Sequence, residues 1–335
     1  MAMVTNAFTT YQAKGNREDL SDKIFNIDPF DTPVISMAGR RTVKNRTYDW
    51  QTENLPVVDG VTNAREEAYV LVARAPTPTV RQSNVAQIST RDAVVSGSQE
   101  AADAAGKNGE MAHQMAMQSK VLKSDMEVIA CSRQAMDIGA DGVARKTESI
   151  PHAIARAKGR PPAGIVGDSV YVPAGATATL PASPTAAWAA PTTPQAFTEG
   201  MVGAVMEKAY NNGAEPTKLI TSAAIKRTIS TFQGRNSSQV MVGKTEVVAT
   251  VDIIATDFGR ITALPSRWVP TDMAIQLDPE YVAIAFYRTF RQYPIAKLGD
   301  AETRMIIVEW GTETRNGSAH IIYEGVKIGA TIPVP

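Results

Sequence analysis

Residues 110–136 read EMAHQMAMQSKVLKSDMEVIACSRQAM and contain neither proline nor glycine. Within them Met111, Met115, Leu122, Met126, Ile129 and Met136 recur at spacings of three, four or seven. That spacing sets all six on one stripe of a helix. A helix over the whole stretch is about 40 Å long, at about 1.5 Å per residue. Its stripe is mostly methionine, an unbranched side chain that packs against irregular surfaces. Just upstream, Ser96-Gly-Ser-Gln99 has the form of a capping box. It predicts a short helix to about Ala105, separated from the long one by Gly106 and Gly109.

The sequence before these helices reads as extended. Tyr48, Trp50 and Thr52 alternate with Asp49, Gln51 and Glu53, the pattern of a half-buried strand. Pro56 and Asp59-Gly60 mark a turn, and residues 68–74 and 85–95 form two further strand-like runs separated by Pro76 and Pro78. Residues 47–95 are therefore expected to form a long β-ribbon. Its Trp50 face finds no apolar partner in its own segment, so the ribbon is expected to reach over a neighbouring molecule. Residues 1–46 read as an arm. Leu20, Ile24 and Ile27 give one helical stripe, Asp28-Pro29 and Thr32-Pro33 punctuate it, and residues 34–38 add a short apolar turn. So polar a segment cannot build its own core and must lie on something else.

Downstream the composition changes. Seven prolines (161, 162, 173, 181, 184, 191 and 194) stand among Ala, Gly and Thr over residues 137–196. Only residues 164–172 look like a strand, and the region is expected to be a long surface excursion. Then the spacing predicts a helix over 198–211, capped by Thr198 and stopped by Gly213. A strand over 218–221 and a helix over 222–232 follow. Strands are expected over 244–256, 259–264, 274–277 and 282–288. Residues 304–314 and 318–326 read as a hairpin through Asn316-Gly317, a strong turn signal.

Composition bounds the chemistry. The 335 residues carry 34 Lys+Arg and 34 Asp+Glu, a formal net charge of zero. That balance excludes a surface that grips nucleic acid by general basicity. The one cysteine, Cys131, excludes an internal disulfide framework and a cysteine-based zinc cluster. The N-terminal stretch lacks a signal-peptide core, and no run of 18 apolar residues marks a membrane span. The three histidines, His113, His152 and His320, are far apart, and neither a His-Glu-x-x-His nor a Gly-x-Ser-x-Gly pattern occurs. Gly243-Lys244-Thr245 resembles the end of a phosphate loop, but the required upstream glycine is Ser238. Arg40, Arg41, Lys44 and Arg46 form one basic cluster, and Arg156, Lys158 and Arg160 another. Both read mainly as solvated or ion-paired faces. No cofactor, metal or catalytic constellation emerges. An α+β chain with an arm and a ribbon that cannot bury themselves is laid out for assembly.

Several runs resemble the major capsid proteins of tailed phages, the Hong Kong 97-type fold. They are Gly15-Asn-Arg-Glu-Asp-Leu20, Asp31-Thr-Pro33, Tyr48-Asp-Trp-Gln-Thr52, Thr256-Asp-Phe-Gly259, Leu277-Asp-Pro-Glu-Tyr281 and Phe290-Arg-Gln-Tyr-Pro294, joined by Lys297-Leu-Gly-Asp300 and Glu313-Thr-Arg-Asn316. The resemblance implies an N-terminal arm (1–46), an extended loop (47–95), a peripheral domain with a spine helix (96–137), an axial domain with a Pro/Ala-rich insertion (138–290, insertion 138–196), and a return to the peripheral domain (291–335). It implies a subunit that forms hexamers and pentamers of an icosahedral shell around double-stranded DNA, part of the virion and assembled in the host bacterial cytoplasm. A cargo-loading bacterial nanocompartment of the same fold is the alternative. Expected partners are copies of the chain, a portal, a cement or decoration protein and, since only about 46 residues precede the ribbon, a separate scaffolding protein. No enzyme activity, cofactor or membrane is implied. Candidate intersubunit contacts are Arg17, Glu18, Arg40, Arg41, Tyr48, Trp50, Arg65 and Glu66. Some shells of this fold are cross-linked through a loop lysine; here no lysine stands between Lys44 and Lys107, so this route is expected to be closed.

Overall fold

In a computed structural model, which describes residues 31–53, 64–67, 69–70, 76, 78–102, 107, 109–157, 170–176, 179–211, 213–232, 253–297 and 299–327, the first element is a five-residue helix, α1 (Pro33–Met37). Proline fits its first turn, where no backbone N–H is needed. Then come β1 (Gly39–Thr42), β2 (Thr47–Thr52), β3 (Val80–Val85) and β4 (Gln87–Ser96). The helix α2 (Gly97–Ala101) starts as the capping pattern predicts, with Ser96 Oγ accepting from Gln99 N, but ends four residues before Ala105. The long helix α3 (Glu110–Cys131) and α4 (Ile150–Ala157) follow.

The second half contains β5 (Val170–Tyr171), β6 (Gln195–Ala196), α5 (Glu199–Asn211), β7 (Lys218–Thr221) and α6 (Ala223–Ile229). It continues through β8 (Ile253–Thr256), β9 (Gly259–Pro265), β10 (Met273–Leu277), β11 (Val282–Ile295) and β12 (Ala301–Thr314). The last strands are β13 (Ile321–Glu324) and β14 (Val326–Lys327). The expected helix within 16–27, the turn at 56–60, the phosphate-loop look-alike and most of the 68–74 run lie outside the described residues.

Two sheets organise the molecule. A four-stranded sheet has the order β1-β11-β12-β4, and a six-stranded one β5-β13-β10-β7-β9-β8. The ribbon β2–β3 and the pair β14–β6 are separate two-stranded units. The stripe of α3 packs on the four-stranded sheet: Met111, Leu122 and Met126 are at most 2% exposed and join the core of Val308, Trp310 and Ile284. Each such side chain contributes about 1.5–3 kcal/mol on burial, so packing rather than intrinsic propensity holds the helix. A second core fills the six-stranded sheet and its helices, around Phe197, Leu219, Ile225, Ile261 and Tyr323.

The structure corrects five readings. The run 85–95 is not one ribbon strand. It divides at the fully buried Ala86, so that β3 pairs with β2 while β4 leaves to pair with β12. The long helix stops at Cys131, because Ser132 turns extended and its hydroxyl takes Ile129 O at 2.8 Å, a local bond that competes with the helical ladder. Met136 is still buried, and its backbone N–H bonds Pro184 O. Among its described residues, region 137–196 is not only surface: α4 carries the fully buried Ile150 and Ile154, and Trp188 joins the same core. β11 runs seven residues past Arg288 and forms the long hairpin with β12.

Finally, Asn316-Gly317 makes no hairpin. Asn316 has φ −138°, whereas the two-residue turn needs positive φ. Its side chain instead accepts from Ser318 N and starts a single 3₁₀ turn. β12 already has β11 and β4 on its two edges, so β13 crosses to the six-stranded sheet. The chain from 321 therefore leaves the four-stranded sheet for the six-stranded one.

Candidate assembly interface

The ribbon carries a small core of its own, and its root is fastened inside the chain. Tyr48 is 5% exposed, and its hydroxyl donates to Thr312 O at 2.7 Å. Burial drives its phenol pKa far up. Asn84 donates to Thr312 O at 2.8 Å and accepts from Glu148 N at 2.9 Å. Glu148 is fully buried just before α4. Its carboxylate takes Arg156 Nε at 2.6 Å and Nη2 at 3.0 Å, and lies 2.7 Å from His152 Nδ1. His152 Nε2 lies 2.8 Å from Ala186 O, and Arg156 also reaches Gln82 on β3. Gly311 closes the joint from β12: a Cβ there would meet Val85 O at 3.0 Å and collide with the Tyr48 hydroxyl. Beyond the root, the blade is held by its strand ladder and the exposed ion pair Arg81–Asp49.

This placement sorts the predicted contacts. Tyr48 faces inward, and Trp50 does have a partner, stacking on Tyr48 with ring centroids 6.1 Å apart. Arg41 bonds Glu313 of its own chain at 2.6 Å, and Arg315 holds the other oxygen of Glu313 at 3.2 Å. Arg40, Arg65 and Glu66 are exposed. Arg17 and Glu18 lie outside the described residues. The second basic cluster does not form a surface at Arg156, which Glu148 occupies.

The arm is tied to α3 by a carboxylate. Glu127 Oε1 and Oε2 accept from Val34 N and Ile35 N, each at 2.8 Å. These are free first-turn donors of α1, so α3 caps the arm helix. Burial raises the pKa of Glu127, the two backbone bonds opposing it. In the same way Glu100 of α2 accepts from Met111 N at the start of α3, where Gly109 (φ +91°) has no side chain to serve. No sequence pattern pairs residues 93 positions apart, so this cap was not legible beforehand.

Where the four-stranded sheet turns away from α3, charge and apolar surface mix. Glu309 is buried between Arg145 at 2.5 Å and Arg288 at 2.6 Å. Cross-strand neighbours share a face. Register therefore aligns Ile295, Thr303 and Val94, and next to them Tyr293, Met305 and Asp92. Val94 is 60% exposed, and Tyr293 and Ile295 about 40%. A band of this kind is surface suited to another subunit.

A second buried joint links α3 to the six-stranded sheet. Arg133, two residues past α3, bonds Glu324 Oε1 at 2.8 and 3.0 Å and Asp272 at 2.9 Å, and lies over the Trp188 ring. Glu324 Oε2 has no partner among the described residues. Burial pushes the Glu324 pKa up to about 7, against the pull of Arg133. His320 is lowered to about 4 by burial, and its Nδ1 accepts from Asp278 N. Among the described residues no cluster of metal-ligating side chains occurs, and no helix is long and apolar enough to cross a membrane.

Comparison with known proteins agrees with this architecture. The family model for the SU10 major capsid protein matches residues 3–327. The major capsid protein of Escherichia phage Phieco32 is 25% identical over 331 residues, covering 92% of this chain and 94% of its own. Among solved structures, the capsid asymmetric unit of cyanophage A-1(L) superposes with a TM-score of 0.63 at 13% identity, over 96% of this chain and 99% of the other. The holo-SrpI encapsulin complex of Synechococcus elongatus gives 0.55 at 7% identity, over 96% of both chains.

Proposed function

Since the chain belongs to the SU10 major capsid protein family and is a phage major capsid protein, part of the virion, we propose that it assembles as hexamers and pentamers into an icosahedral shell enclosing double-stranded DNA. The family match over nearly the whole chain carries this reading. The encapsulin likeness is at 7% identity and speaks for the fold alone. In the shell the segments take the roles of arm, extended loop, peripheral domain around the four-stranded sheet and axial domain around the six-stranded sheet. Assembly takes place in the host bacterial cytoplasm, with a scaffolding protein, a portal and a cement or decoration protein as further partners, and without catalysis by this chain.

The ribbon supports this reading. Its root is rigidly bonded, while its blade has no core beneath it among the described residues, so a neighbouring subunit supplies the surface on which it rests. Arg65, Glu66 and the half-buried Trp50 meet that neighbour, together with Arg17 of the arm. Negative-stain microscopy of the purified chain, alone and with its scaffolding partner, tests the proposal. Closed shells support it; fibres or monomers under both conditions refute it. With no lysine between Lys44 and Lys107, shells dissolve to single chains on a denaturing gel. A covalent ladder abolished by changing a loop residue would overturn that.

A further inference from the structure

A cleft of about 510 Å³ lies where α1, β1, α3 and β11 meet, within the size range of binding clefts. Ile35, Phe286 and Phe290 give it an accessible apolar wall, and Arg40 and Lys123 give it a positive rim. No acidic residue lines it, and neither Arg40 nor Lys123 has an ion-pair partner among the described residues. Thr32 lies on its edge, so residues 1–30 enter the described structure beside its mouth.

The sequence leading there has the complementary chemistry. Residues 16–27, NREDLSDKIFNI, place Leu20, Ile24 and Ile27 at helical spacing and carry Glu18, Asp19 and Asp22. Only residues 28–31 separate them from Thr32, a tether of roughly 18 Å at most. Capture over so short a tether is intramolecular, with an effective concentration in the millimolar range. We propose that residues 16–27 dock in this cleft of their own chain, the Leu20/Ile24/Ile27 stripe against the apolar wall and the acids toward Arg40 and Lys123. The proposal goes beyond the shell reading and needs no particular shell geometry.

Disulfide trapping in the full chain tests it. Thr289 lines the cleft and is exposed, whereas Thr90 is exposed on the opposite face of the same sheet; Cys131 is buried. Under mild oxidation, Ile24→Cys with Thr289→Cys is expected to form an intrachain link about tenfold faster than Ile24→Cys with Thr90→Cys. Adding Arg40→Glu and Lys123→Glu should slow it. Equal rates at the two positions, links only between chains, or no link would overturn the proposal. Hydrogen exchange on the unaltered chain gives a reading free of substitutions. Amides of 20–27 should exchange about tenfold more slowly than those of 5–14, and equal exchange counts against docking. Shell formation seen by microscopy stands or falls separately from both results.

Discussion

Glu148 and Glu324 are both fully buried carboxylates paired to an arginine, yet they sit in opposite electrostatic conditions. At the ribbon root, Arg156 holds both Glu148 oxygens, and His152 is in hydrogen-bond contact with one of them. Between α3 and the six-stranded sheet, Glu324 has one oxygen held by Arg133 and the other without a partner among the described residues. Full satisfaction offsets the cost of burying charge; half satisfaction leaves part of that cost standing, and a proton can remove it. The first joint is therefore fully bonded, and the second responds to pH through Glu324.

The largest expected effect breaks the fully bonded joint. Glu148→Ala leaves Arg156 and His152 without their shared acceptor and should cost about 3–5 kcal/mol of subunit stability, read by urea unfolding. A loss under about 1 kcal/mol would remove the distinction between the joints. The Glu324 joint comes next. Its folded pKa of about 7 stands above the 4.5 of an unperturbed glutamate. The folded chain thus keeps a proton that the unfolded chain releases. The associated stability is complete below about pH 4.5 and is lost as pH rises toward and through 7, by a few kcal/mol at most. Glu324→Gln should flatten this part of the stability–pH curve and melt at or above wild type at pH 8. A variant with an unchanged slope between pH 5 and 8 would place the titration elsewhere.

What the sequence makes legible follows from the range of the interactions. The stripe Met111–Ile129 and the Ser96 cap are local patterns, and both appear in the fold, as does the strand at 218–221. The two ends of α3 are less legible, because they depend on Ser132 and Glu100, side chains whose competing bonds leave no periodic trace. α4 was hidden by the prolines around it, and its helix exists because Ile150 and Ile154 find a core made by distant strands. The Asn316-Gly317 signal failed for a related reason: a local turn preference lost to strands that already occupied both edges of β12. Of the expected contacts, Arg40, Arg65 and Glu66 are exposed. Tyr48 reads from the sequence as a contact between subunits, because nothing in its neighbourhood announces Thr312, 264 residues away.

Tyr48→Phe sharpens the account of the root. It removes the hydroxyl bond to Thr312 O, but that carbonyl still accepts from Asn84 at 2.8 Å. No buried acceptor is left empty, so the loss should be about 1 kcal/mol in urea unfolding. A loss near that of Glu148→Ala would mean that the hydroxyl organises the network rather than joining it.

The smallest effect is expected on the blade. Arg81 pairs with Asp49 across β3 and β2, and its side chain is 75% exposed. Water and salt screen such a pair, and holding both side chains costs entropy. Arg81→Ala should change subunit stability by less than about 0.5 kcal/mol, measured by urea unfolding at low and physiological salt. The root keeps its bonds in this variant, since none of them passes through Arg81. A loss above about 1 kcal/mol would show that the blade is stabilised from within the chain, as the root is. A negligible loss leaves the blade dependent on surfaces outside its own chain, and any fall in shell yield by the same variant would then act through the neighbour.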